Sequence, residues 1–177
     1  MTPTLLTNIN AVISGELTMS AMELNEMNHC HEMGFQGFKR FHRFYAMDRQ
    51  RHALMLSNFV VEYHHVTPVI SVSYNSANTT SSSLLEAMQR MHDLSVNHLE
   101  LLKSTAKMAI DEGEDLLMGM LEKLLRDESC EVARYYREVK DLTYTNSDRS
   151  YVLLRSDKLH TKYKDKEKEY FNYQDKG

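Results

Sequence analysis

The chain has 177 residues, 42% of them hydrophobic and 26% charged, with a formal net charge of −4. That length suits one domain with a sizeable core, and a slight negative charge gives no reason to expect nucleic acid or an anionic lipid surface as a partner. Two cysteines, Cys30 and Cys130, with no C-x-x-C, argue against a disulfide framework or a cysteine-built zinc site. No stretch approaches the roughly 20 apolar residues of a membrane span, and no basic, apolar leader opens the chain, so the expectation is a cytoplasmic protein.

In chain order, Thr2-Pro3 reads as an N-cap followed by proline at the first helical position. Leu5, Ile9, Val12, Ile13, Leu17, Ala21 and Leu24 then keep helical spacing, which predicts a first helix over 4–33 stopped by Gly34. Phe38, Phe41, Tyr45, Leu56 and Phe59 predict a second over 37–64. Arg49 and His52 lie one turn apart on it, placing a cation and an imidazole where helices should face one another.

Thr67-Pro68 ends that run. Residues 66–83 alternate apolar and polar in VTPVISVSYN and then become rich in breakers, which reads as a crossover between the two ends of a bundle. The β-branched part offers a strand edge that a two-fold mate could pair with. Ser83 and Glu86 form a capping-box pattern opening a third helix over 83–112, with Leu84, Met88, Met91, Leu94 and His98 on one face. Leu117, Leu121, Leu124, Tyr135 and Leu142 predict a fourth over 114–143. A short fifth helix is expected near 149–161, followed by a mixed-charge tail, 162–177, that cannot bury much. The fold class is therefore all-α, an antiparallel four-helix bundle with a long crossover after the second helix and a short C-terminal fifth, over 1–161.

The sequence GFQGFKRF at 34–41, followed by Ala46 and His52-Ala53, resembles the second helix of non-haem ferritins. Ser14-Gly15-Glu16-Leu17 is similar to their first-helix stretch bearing a metal-binding glutamate, Thr67-Pro68-Val69 to the entry into their crossover, and YVLLRSDKL at 151–159 to their fifth helix. The resemblance covers roughly residues 4–160. It implies iron as cargo, a homo-oligomer that in this family forms a twenty-four-subunit cage, and a dinuclear ferroxidase centre inside the bundle.

Carrying that centre over residue by residue gives an incomplete set. Glu16 and His52 are in place, but Arg49 stands where the carboxylate bridging both irons belongs. Met91, with His92 beside it, falls at the third-helix glutamate, Leu124 at the fourth-helix ligand, and Glu23 at a neighbouring tyrosine. A guanidinium puts fixed positive charge where cations should bind, and Glu16 could pair with it and plug the site. The implied subunit stores or shelters iron with little or no ferroxidase activity of its own, alone or co-assembled with an active ferritin. The alternative is a ferritin-derived structural or interaction protein that binds no iron.

Other residues admit two readings each. Asp48 and His52, four apart, could share a metal with Asp127, or could simply solvate a helix face, and a further reading is an enzyme with a displaced mononuclear site at Glu16, His52 and Asp127. His29-Cys30-His31 could bind a soft metal or form an exposed helix end. The twelve methionines fit core packing, and Gln50, where bacterioferritins carry a haem-ligating methionine, argues against haem. Asp111, Glu112, Glu114 and Asp115 either steer cations at a threefold pore, as the resemblance implies, or cap a helix N-terminus.

Overall fold

The structure, a computed structural model, describes residues 1–73 and 81–174, with side chains as far as Glu169. Five helices follow in order: α1 (Pro3–Glu32), α2 (Gln36–His64), α3 (Leu84–Asp111), α4 (Asp115–Tyr144) and α5 (Arg149–Gln174). The local signals explain their ends. Thr2 accepts a hydrogen bond from the Leu5 amide at 3.3 Å, and Pro3 needs no partner for the donor it lacks. Gly34 takes φ of 83°, where the amide of Phe35 can reach back to the Cys30 carbonyl at 2.8 Å. Ser83 accepts from the Glu86 amide at 3.2 Å, whereas the Glu86 carboxylate returns to Ser82, accepting from its amide and hydroxyl at 2.6 Å each.

Hydrogen bonds along the connection after α2 establish the topology. At one end of the bundle the His64 ring lies 3.6 Å from Glu114 and the Thr2 amide donates to Glu112 at 2.8 Å. From there the chain climbs α1: the Val69 amide donates to Asn10 Oδ1 at 3.2 Å and the Ser71 amide to Ser14 Oγ at 3.0 Å. It reappears at the other end, where Ser81 Oγ donates to Glu26 at 2.7 Å. The connection therefore spans the bundle, and α3 descends from the end that Glu26 marks. His65 takes a left-handed conformation, φ 53°, and residues 66–73 form no helix or strand, with Val69, Ile70 and Val72 exposed. The rest of VTPVISVSYN lies outside the described residues, and pairing with a two-fold mate stays an expectation.

Two apolar clusters fill the interior. Leu5, Ile9, Val12 and Ile13 pack with Leu56, Leu102, Leu117 and Leu121 near one end. Phe38, Phe41, Tyr45, Met88, Met91 and Tyr135 pack near the other, joined by Val152, Leu159 and Tyr163 of α5. Each such side chain, fully buried, contributes about 1.5–3 kcal/mol against the entropy of ordering it. Between the clusters sits a polar layer, described below. No helix among the described residues is long and apolar enough to cross a membrane.

The fifth helix departs from expectation. It was expected over 149–161 with an unpacked tail from 162, yet it continues to Gln174, and Tyr163 is fully buried. The reason is a stripe at positions 152, 156, 159, 163 and 167, whose side chains are all buried. Arg155 binds Glu138 of α4, and Arg40 of α2 binds Glu167, so charged residues fasten both sides of the stripe. Gly37 makes this packing possible: a Cβ there would come within 1.7 Å of the Ser156 carbonyl oxygen. The Gly37 amide instead donates to Ser156 Oγ at 2.9 Å.

Candidate metal centre

Midway along the bundle four helices each contribute polar side chains to the interior. Glu16 comes from α1, Arg49 and His52 from α2, Ser95 and His98 from α3, and Glu128 and Glu131 from α4, and all are buried. Their placement follows from sequence spacing. On α4, Leu117, Leu121, Leu124, Glu128, Glu131, Tyr135, Glu138 and Leu142 form one buried stripe, so the glutamates occupy core positions. On α1, Gly15 precedes Glu16 and leaves room for the His98 ring, whose Nδ1 would lie 2.8 Å from a Cβ.

Arg49 is the centre of this layer, with no exposed surface. One terminal nitrogen donates to Glu16 Oε2 at 3.0 Å and to Glu128 Oε2 at 3.1 Å. The other donates to Ser95 Oγ at 2.9 Å, to Glu128 Oε1 at 3.2 Å, and to Glu131 Oε1. Glu128 thus takes both prongs of the planar fork, the geometry in which a guanidinium–carboxylate pair is strongest. Burial on its own would lower the Arg49 pKa, but Glu131, Glu128 and Glu16 raise it well above the usual arginine value. It remains a cation.

The carboxyl groups divide the remaining charge. Burial pushes the Glu131 pKa well above the ordinary carboxylate range; Arg49 opposes this, and Glu128, Glu23 and Glu16 add to it. Glu131 is therefore the carboxyl group of this layer that burial drives towards its protonated form. For Glu16 burial also acts upward, but His52, His98 and Arg49 outweigh it and hold the carboxyl well below that range. His52 Nδ1 lies 3.4 Å from Glu16 Oε1 and its Nε2 3.3 Å from Asp127 Oδ2. Burial would lower the His52 pKa; Asp127, Glu16 and Asp48 instead raise it to about 9, so the ring is protonated.

The other candidates are placed unevenly. Asp48 lies 3.9 Å from His52 and is held by Arg51 at 2.6 Å, while Asp127 meets His52 directly. His92 is not brought to the centre; it lies half-way out of α3, 3.0 Å from Asp93 and beside the Tyr136 ring. Met91 packs among the aromatic rings and Leu124 among the aliphatic core, so neither stands at the Arg49 layer. The projection of the third- and fourth-helix ligands onto them is corrected: the groups facing Arg49 are Ser95, four residues on from Met91, and Glu128, four on from Leu124. Glu131 and Glu128 went unread because a glutamate taken alone suggests the outer face of a helix, and His98, on the inner face of α3 by its spacing, was not read as part of the centre. The signal was available in the shared stripe of α4.

One group of donors is positioned to accept a metal. Glu16, His98 and Glu128 present ligand atoms within 4.8 Å of one another, the one such group among the described residues. Glu16 Oε1 and His98 Nε2 are 3.3 Å apart, both buried and neither in a hydrogen bond. Glu128, however, is already held by both prongs of Arg49.

A second buried group lies about two turns nearer the α1–α2 turn, since His42 and Glu23 are each seven residues from Arg49 and Glu16. His42 Nδ1 lies 2.6 Å from Glu23 Oε2, and the Tyr135 hydroxyl donates to Glu23 Oε1. Burial opposes charge on His42, yet Cys30 and Glu23 raise its pKa to about 10. Glu23 stands at the position where the resemblance places a tyrosine, and Tyr135 of α4 returns a phenol to that neighbourhood. Cys30 turns inward towards His42, while His31 is exposed, so His29-Cys30-His31 is not one soft-metal face. Among the acids at the α3–α4 turn, Glu112 binds Thr2 and Glu114 lies 2.5 Å from the amino group of Met1, while Asp111 and Asp115 are exposed.

The sequence model of the Ferritin family, described as a ferritin-like domain, matches residues 6–144. The chain belongs to the ferritin family. No curated protein matches it in sequence. Its fold is similar to an open-pore ferritin from the hyperthermophilic archaeon Archaeoglobus fulgidus, at 19% identity and a TM-score of 0.83, covering 90% of this chain and 98% of that one. A closed form engineered from the A. fulgidus ferritin matches at 18% identity and a TM-score of 0.82, over 90% of this chain and 96% of that one. A PmFTN variant soaked in iron matches at 15% and 0.80, over 88% and 98%. Within the ferritin fold, the polar layer of this chain is a centre organised around a guanidinium.

Proposed function

We propose that this chain is a ferritin-type subunit that stores or shelters iron as part of an oligomeric shell and contributes little ferroxidase activity of its own. The observation that carries this reading is Arg49, whose terminal nitrogens bind Glu16, Glu128 and Glu131 in the middle of the bundle. Oxidising two ferrous ions together requires oxygen and imidazole ligands free to hold both cations a few ångströms apart. Here the oxygens that would do so already surround a fixed positive charge, and His52 is itself protonated between Glu16 and Asp127. A cation entering would have to displace Arg49 from a site it satisfies with five hydrogen bonds. Iron handling is supported by family membership and by neighbours named as ferritins, one soaked in iron. A shell of twenty-four copies, or one shared with an active ferritin in the cytoplasm, is the assembly this reading takes.

Stopped-flow oxidation of Fe(II), followed by measurement of iron retained on the assembled protein, tests the reading. The protein alone should oxidise Fe(II) no faster than buffer in air, and should retain iron when assembled with an active ferritin. A fast saturable phase at about two irons per subunit, the stoichiometry of a dinuclear site, would overturn the plugged centre. Iron retained in neither case would instead favour a structural or interaction protein that binds no iron.

A further inference from the structure

α4 carries a second stripe on the side facing away from the polar layer. Lys123, Arg126, Cys130 and Arg134 follow one another at intervals of three and four, and all but the half-buried Arg134 are exposed. Lys166 of α5 faces them across an open cavity of about 570 Å³ between α2, α4 and α5. That is within the size range of small-molecule sites, roughly 300–1,000 Å³.

The wall holds more positive charge than its acids neutralise. Arg51 also lines the cavity, but it pairs with Asp48 at 2.6 Å, and Asp127 is taken by His52 at 3.3 Å. Lys123, Arg126, Arg134 and Lys166 have no carboxylate partner within ion-pair distance among the described residues. Arg134 donates to the Tyr45 hydroxyl at 2.6 Å, and the Lys166 ammonium lies 5.0 Å from the centre of the Phe44 ring. Glu169, exposed on the rim, offsets one of these charges. Crowding is felt within the cluster: burial first, then Arg134 and Lys162, lower the Lys166 pKa from its ordinary value.

Four cations set against the single offsetting carboxylate of Glu169 form a receptor for an anion. The shape of the stripe narrows the class. Lys123 and Arg134 are eleven positions apart, about 16 Å along a helix, too far for a single tetrahedral oxyanion to bridge. Two of the four are arginines, whose forks match phosphate oxygens two at a time. We propose that this cavity binds a phosphate chain, two or more linked phosphate groups, either inorganic or carried by a nucleotide. The proposal does not rest on iron handling by the polar layer.

Cys130, exposed in the wall, is a built-in reporter, because the other cysteine, Cys30, is buried. The test uses the full chain at low salt with inorganic tripolyphosphate, a nucleoside triphosphate and orthophosphate, each followed by calorimetry and by the rate of Cys130 modification with a thiol reagent. Tripolyphosphate should bind, slow the modification, and bind more tightly than orthophosphate. The double variant Lys123→Ala, Arg126→Ala removes exposed side chains with no ion-pair partner, so its thermal midpoint should hold while affinity falls about tenfold. Equal binding of the nucleotide assigns the affinity to the phosphate chain alone; tighter binding that Phe44→Ala abolishes adds the base. Absence of binding and protection, orthophosphate binding as tightly as the chain, or a double variant with unchanged affinity would overturn the proposal.

Discussion

Arg49 donates to Glu16 Oε2 at 3.0 Å in the middle of the bundle, and the two side chains together expose almost nothing to solvent. The pair joins α1 to α2, and the same guanidinium reaches α3 through Ser95 and α4 through Glu128 and Glu131. One side chain thereby cross-links four helices at the level where apolar packing is interrupted.

Replacing Arg49 by alanine should destabilise the protein by about 3–5 kcal/mol, since three carboxyl groups would stay buried without their cation. Urea unfolding at neutral pH measures this. Unchanged stability would mean that the carboxyl groups take up protons or water at negligible cost.

Arg49→Glu alone should rebuild metal binding, because Glu128 and Glu131 of α4 already supply the carboxyl groups that Leu124 does not. The metal-free variant should melt below the parent, and Zn(II) or Co(II) should restore its midpoint. A fast phase of Fe(II) oxidation should appear with it. Adding Met91→Glu should not help, as Met91 packs among aromatic rings where a carboxylate has no partner.

Stability should fall as the solution becomes alkaline. Burial acts to lower both imidazole pKa values, but Cys30 and Glu23 raise His42 from 6.5 to about 10, and Asp127 and Glu16 raise His52 from 6.5 to about 9. A pKa raised on folding means that the folded state binds the extra proton, so this contribution is fully present below pH 6.5 and is lost as pH rises through about 9 and then about 10. Thermal midpoints measured from pH 6 to pH 10.5 should decline, more gently in His42→Gln. A flat profile would contradict the protonated His42.

Gly37→Ala should loosen α5 selectively. Its Cβ would meet the Ser156 carbonyl at 1.7 Å, a clash with backbone that side-chain motion cannot relieve. A cost of about 1–3 kcal/mol is expected, with faster proteolysis within 149–174. Cleavage at the parent's rate would show that α5 is not anchored there.

The bundle was legible because its apolar positions keep the 3.6-residue period and because Pro3, Gly34, Ser83 and Gly113 mark helix ends with few competing signals. Arg49 and His52 were legible as inward-facing groups from their spacing, whereas Glu16 and the depth that all three share were legible only through the resemblance. Glu128 and Glu131 were not legible, since a charged residue at a core position looks like a surface residue until its partner is known, and Arg49 lies 79 positions away from Glu128. The length of α5 was missed for a related reason. Between Tyr163 and Glu167 the sequence is all charge, and the four-residue interval carrying the buried face is easily read as a tail.

The crosslink at Arg49 has a consequence for supply. A centre held by dissociable ions is stabilised by RT ln(1 + [L]/Kd), so such a bundle weakens when the cell runs short of metal or when a chelator competes. A cation attached to the backbone has no free concentration, cannot be sequestered, and leaves only when the helix that bears it moves. This subunit should keep its midpoint in EDTA and in iron-starved cells, the conditions under which a metal-dependent partner in a mixed shell would be least secure.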